Sequence, residues 1–163
     1  MRVYGALAAS LLLGFVPILS FAVLSAVLFL VTLVYAYIIR NRATEHDLAH
    51  NHATYIIRTI WIVSLICLVT VALASVYMLS YYDPSALMGC VSGITAETVS
   101  NMAATNAKIA PCMDQFMEEN RVVFYKAGAI AIVPVVLYLL YRLSKGLSRA
   151  SRGYRVADVK SWF

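Results

Sequence analysis

Between Arg2 and Arg40 the chain carries no charged residue. Wound as one straight α-helix, that run would be about 55 Å long. The hydrocarbon core of a bilayer is about 30 Å thick and takes roughly 20 helical residues. The block is therefore too long for a single upright crossing. Near its first third lies Gly14-Phe15-Val16-Pro17. Proline has no amide proton and drives its predecessor out of the α region, so a helix bends or ends there. Two readings stay open. In the favoured one, a short helix over about 3–15 turns tightly into a second over about 18–40. In the other, one kinked helix lies partly along the interface. The apolar run is twice the length of a signal-peptide core and has no polar cleavage zone, so the segment reads as uncleaved.

Two further apolar blocks follow, at about 55–82 and 122–142. The chain as a whole is 62% hydrophobic and 13% charged. That is too little polar surface for a soluble domain of this length. The expected class is thus all-α, an integral membrane helical bundle with four crossing helices, or three if the first block is one kinked helix.

The distribution of charge predicts orientation. Arg40, Arg42 and Arg58 surround the polar stretch 41–54, and Arg142, Lys145, Arg149, Arg152, Arg155 and Lys160 follow the last block, opposed only by Asp158. Residues 83–120 set Asp83, Glu97, Asp114, Glu118 and Glu119 against the single Lys108. Basic flanks stay in the cytoplasm, so both termini are expected inside and the acidic loop outside, in the periplasm of a bacterial inner membrane. The net charge of +5 is accounted for by these flanks, and no nucleic-acid-binding module accompanies it. The basic tail, with Arg142, Lys145, Arg149, Arg152 and Arg155 on an interfacial helix, is expected to face anionic headgroups or a protein partner.

Cys90 and Cys112 both fall in the acidic loop. In an oxidising compartment they would pair, closing a loop of about twenty residues worth roughly 3 kcal/mol. Cys67, inside an apolar block, reads as a small packing residue.

All three histidines lie in His46-Asp47-Leu48-Ala49-His50-Asn51-His52. On a helix His46 and His50 share a face at ligand spacing. The string is similar to one histidine box of the membrane fatty-acid desaturases, but those enzymes need several boxes and this chain has one. A polar cap on a helix is the reading preferred to a metal site at His46, His50 and His52. No nucleophile triad or phosphate loop occurs, and no cofactor is expected. The apolar blocks hold no mid-membrane ionisable residue, which disfavours ion-coupled transport. A channel or carrier would instead need a polar path, for which Ser10, Ser20, Ser25, Thr32, Ser64 and Thr70 are the candidates.

Two strings carry a resemblance. His52-Ala53-Thr54-Tyr55-Ile56-Ile57-Arg58-Thr59-Ile60-Trp61 opens the second block, and Tyr141-Arg142-Leu143-Ser144-Lys145-Gly146-Leu147 closes the last. Together with the proline-turned start, they resemble a family of small four-helix bacterial membrane proteins of unknown function. That family is distantly related to the small membrane component of the chloroplast inner-envelope protein-import translocon. The resemblance implies four membrane helices. The long cysteine-bearing loop and the tail ending in Ser161-Trp162-Phe163 depart from it. The functional expectation is a non-enzymatic accessory or scaffold subunit of a larger membrane assembly, partnered by other membrane proteins or by its own copies. The alternatives are a small oligomeric channel or transporter and a histidine-loop metal enzyme.

Overall fold

The computed structural model describes residues 2–14, 16, 18–91, 102–159 and 161–162, without the side chains of Arg2, Ala86, Cys90, Val91, residues 102–105 and Lys108. These residues form six helices and, among them, no strand: α1 Arg2–Gly14, α2 Leu19–Arg42, α3 Leu48–Tyr81, α4 Ser85–Val91, α5 Met102–Glu119 and α6 Arg121–Ser151. Three of them, α2, α3 and α6, are long and apolar enough to cross a membrane. The fourth apolar helix, α1, has 13 residues, about 20 Å of rise and short of a full crossing. Much of the outer surface of the long helices is aliphatic, with Leu19, Leu68, Val76, Leu79 and Leu137 all exposed. Such a surface is stable against hydrocarbon rather than water.

The chain divides into two units. The first comprises Met1–Cys67 and Val135–Phe163. In it α1 ends at Gly14, α2 starts at Leu19, and the two pack along each other. Small groups allow the close approach. Thr32 and Ala36 are buried on α2, and the Ser25 hydroxyl donates to the Ser10 carbonyl at 2.7 Å. Phe15 and Pro17, where the turn was expected, lie outside the described residues. The core combines Val3, Tyr4 and Leu7 of α1 with Ala36 of α2 and Tyr55, Ile56, Ile57 and Ile60 of α3, closed by Val156. A smaller cluster sets Ile62 and Val63 against Tyr138 and Leu139. Arginine, tyrosine, asparagine and histidine are interleaved with these apolar groups.

Two helix limits differ from the sequence reading. Helix α3 begins at Leu48, not near Tyr55, so His50 and His52 are helical. Asp47 precedes it and accepts the Thr44 amide at 2.8 Å, which holds its carboxyl below the usual range. A helix projecting past the hydrocarbon needs no apolar periodicity, so hydropathy alone underestimates its length. In the same way α6 continues to Ser151, taking in Arg142, Lys145 and Arg149. It ends in a Schellman motif: the Tyr154 amide donates to the Arg149 carbonyl and the Gly153 amide to the Ala150 carbonyl. Gly153 has φ +73°, open to glycine at no steric cost. This reversal turns the chain back beside α6, where the Trp162 carbonyl accepts from Tyr138.

The second unit is Leu68–Pro134. Asn120, 1% exposed, ties its linkers. Its side-chain oxygen accepts the Asp83 amide at 2.6 Å, while its side-chain nitrogen donates to the carbonyls of Asp83 and Phe116. Phe116 meets Tyr82 and Phe124 edge to face. Thr70 donates to the Ala131 carbonyl at 3.0 Å, joining α3 to α6. The region read as a loop at 83–120 therefore contains two helices, α4 and α5, packed on each other. Pro111 and Pro134 both lie within helices.

Gly153→Ala forces a β-carbon into the left-handed region, at a cost of about 1–2 kcal/mol. Limited proteolysis of the variant is expected to cut within residues 154–162 faster than in the wild type. An unchanged rate would show that the reversal does not depend on Gly153.

Candidate functional site

The polar groups of the first unit gather where α1, α3, α6 and the returning C-terminal segment meet. Arg142, on α6, is fully buried. Its guanidinium lies 3.8 Å from the centre of the Tyr55 ring, and its Nε donates to Thr59 Oγ1 at 3.2 Å. The spacing on α3 explains this fit, since Tyr55 and Thr59 are one turn apart on the same face. Thr59 in turn donates to the Tyr55 carbonyl at 2.8 Å, and the Tyr55 hydroxyl donates to the Arg142 carbonyl at 3.0 Å. Ring, hydroxyl, guanidinium and backbone thus close a circuit between α3 and α6. Arg142 Nη1 reaches the Ser161 carbonyl at 3.2 Å.

His52 extends the network. Its Nε2 is 3.1 Å from the Tyr154 carbonyl and its Nδ1 is 2.9 Å from the Tyr4 hydroxyl. A carbonyl can only accept, so Nε2 carries the proton and Nδ1 of the neutral ring accepts from Tyr4. Next to it Asn51 pairs with the backbone of Val156 in both directions. Its nitrogen donates to the carbonyl at 3.1 Å, and its oxygen accepts the amide at 2.8 Å. Outside these contacts Arg155 donates to the Glu45 carbonyl and Arg149 to the Arg155 carbonyl. The C-terminal segment is held to α3 and α6 through its own backbone and the buried Val156 side chain, and to the 43–47 turn through the Arg155 side chain.

Close packing is essential here. A β-carbon at Gly146 would lie 2.7 Å from the ring and hydroxyl of Tyr4 and 2.8 Å from the Tyr55 ring. Glycine is required because two aromatic rings occupy that space. A small cavity next to the network is lined by Tyr4, His52, Ile39 and Ala49, among others.

The residues singled out from sequence fall in different places. His46 is exposed, His50 half-buried, and His52 has both nitrogens engaged; among the described residues no His, Cys, Asp or Glu cluster could hold a metal. Arg142, expected on a headgroup-facing tail, is buried. Lys145 sits over Tyr141 and donates to its hydroxyl at 3.1 Å, and Arg152 and Arg155 are exposed. The Cys90 side chain lies outside the described residues, and so does its pairing with Cys112. The hydroxyls proposed for a polar path turn to backbone carbonyls: Ser10 to Leu7, Thr32 to Leu28, Ser64 to Ile60, Ser25 to Ser10 and Thr70 to Ala131. Ser20 is exposed.

Tyr4, Asn51, Tyr55 and Thr59 were not selected from sequence, because each alone reads as an ordinary helix residue. The available signal was the density of polar side chains at 51–59, at the start of a membrane block. Comparison with protein-family models, with curated proteins and with solved structures finds no match.

Gly146→Ala should cost about 1–3 kcal/mol through overpacking. Gly128→Ala has nothing within 4 Å of the new carbon and should gain up to about 1 kcal/mol in helix propensity. Thermal unfolding of both variants in one detergent checks the contrast; equal midpoints would contradict it. Asn51→Ala should cost about 2 kcal/mol by leaving the Val156 amide and carbonyl buried without partners, read out as earlier unfolding and faster proteolysis near Val156.

Proposed function

We propose that this protein is a non-enzymatic accessory or scaffold subunit of a larger membrane assembly. The observation that supports the reading most directly is where its polar chemistry goes. Tyr4, Asn51, His52, Tyr55, Thr59 and Arg142 bond to one another and to the C-terminal segment, fixing helices in place. An enzyme would aim such groups at a substrate, and a channel would line a path with them. The carbonyl-directed hydroxyls of Ser10, Thr32 and Ser64 weigh against the channel reading. The resemblance to small four-helix bacterial membrane proteins belongs to this proposal. It adds weight through the strings 52–61 and 141–147, which supply Tyr55, Thr59, Arg142 and Gly146 to one cluster.

In the proposed arrangement α1 and α2 form an entering hairpin, with α1 crossing only where the bilayer thins to meet it, giving four membrane helices in a bacterial inner membrane. Both termini face the cytoplasm, in accord with the basic flanks, and α4 and α5 face the periplasm. A Cys90–Cys112 disulfide would staple α4 to α5, which pack together. The exposed Arg152 and Arg155 would face anionic headgroups or a partner.

Chemical cross-linking in intact membranes, followed by purification in mild detergent, tests the central claim. The expected outcome is a defined adduct with another membrane protein or with a second copy. A monodisperse monomer without adducts would overturn it. Thiol labelling of the unreduced protein should leave Cys90 and Cys112 unmodified until reductant is added; labelling of both beforehand would remove the disulfide from the proposal.

A further inference from the structure

Arg142 is a buried cation without a counter-charge among the described residues. It makes no ion pair, and its Nη2 has no hydrogen-bond partner. On α3, Arg58 is half-buried, and its Nε, which is buried, also lacks a partner. The acidic residues of this unit are Glu45, Asp47 and Asp158, and all three are exposed. Asp47 turns its carboxylate to the Thr44 amide and Asp158 turns one oxygen to the Ser161 amide. Arginine keeps its proton throughout the accessible pH range, so neutralisation by deprotonation is not available. A buried charge of this kind is strongly unfavourable unless an opposite charge joins it.

The two arginines lie on helices that meet at Tyr55 and Thr59. On α3, Arg58 follows Tyr55 by three residues and precedes Ile62 by four, so it shares their face. Arg142 stacks on Tyr55. Tyr138, one turn before Arg142 on α6, packs with Ile62. The Tyr138 hydroxyl shares this face of α6 with Arg142. That hydroxyl donates to the Trp162 carbonyl at 2.9 Å, and Arg142 Nη1 donates to the Ser161 carbonyl. Two carbonyl oxygens of the C-terminal segment therefore occupy the neighbouring donors, and the segment forms the cover of the cluster.

We propose that Arg58 and Arg142 form an anion site for a phosphate group beneath the cover formed by Ser161 and Trp162. Phosphate oxygens suit the forked donors of arginine and supply the missing charge. Arg58, half-buried, forms the open side and Arg142 the closed base. The same chemistry is offered by the headgroup of an anionic phospholipid and by free inorganic phosphate.

The test uses the full chain, purified in detergent and freed of bound lipid. Its thermal unfolding is followed with added phosphatidylglycerol, with added phosphatidylcholine, and with inorganic phosphate against chloride at equal ionic strength. A rise with phosphatidylglycerol but not phosphatidylcholine identifies a lipid headgroup. A rise with inorganic phosphate identifies the free anion. In either case Arg58→Gln should weaken the apparent affinity about tenfold, the loss of one charge-assisted contact. Arg42→Gln, which removes an exposed charge at the end of α2, should leave the affinity unchanged. Arg142→Lys keeps the charge but lacks the fork, and where it folds it should weaken binding as Arg58→Gln does. No rise beyond the phosphatidylcholine and chloride controls would overturn the proposal. So would an equal loss in Arg42→Gln, which would assign the effect to surface charge.

Discussion

The stacking of the Arg142 guanidinium on the Tyr55 ring is the contact on which the first unit depends. A desolvated cation–π pair is worth about 2 kcal/mol, yet its importance here is geometric more than energetic. The guanidinium fixes α6 against α3 through Thr59, and the Tyr55 hydroxyl returns the bond to the Arg142 backbone. With both faces of the pair set, Gly146 brings α6 against the rings of Tyr4 and Tyr55, and α1 is included in the same contact. In hydrocarbon, helices gain little from apolar burial against each other, because lipid tails are equally apolar. Close approach through a glycine and hydrogen bonds across helices then carry more of the specificity.

What the sequence revealed follows from what hydropathy measures. The runs 18–40, 55–82 and 122–142 could be read as helices because the bilayer imposes a length and a composition. The ends of α3 and α6 could not, since beyond the hydrocarbon those constraints lapse. Asn51 and His52, which hydropathy excludes from a helix, sit on α3 because the C-terminal backbone satisfies them. Arg142 illustrates the same limit. A basic residue after an apolar block reads as a snorkelling anchor, and nothing local distinguishes it from Lys145, which does lie on the outer side with Tyr141. The difference arises from Tyr55 and Thr59, more than eighty residues away in sequence. The strings 52–61 and 141–147 stood out as patterns before their contact could be read from either.

The second unit rests on a different device. Asn120 bridges two linkers through one amide group, taking the place of a hydrophobic plug at the junction of α5 and α6. Around it Tyr82, Phe116 and Phe124 provide an aromatic layer. Helix α5 has exposed Met113 and Met117 alongside Asp114, Glu118 and Glu119, a mixed surface compatible with water and headgroups rather than with hydrocarbon.

The pairing of Asn51 with Val156 joins residues 105 positions apart, and it has a bearing on the order in which the molecule assembles. Chains leave the ribosome from the N-terminus, so α1 to α3 are made while Val156 does not yet exist. Until the C-terminal segment arrives, Asn51 and the Nε2 of His52 lack their protein partners and are served by water. Unpartnered polar groups of this kind favour the aqueous boundary, so the start of α3 gains from staying there until the C-terminal segment docks. The final turn at Gly153 then delivers the backbone that pairs with Asn51 and closes the fold.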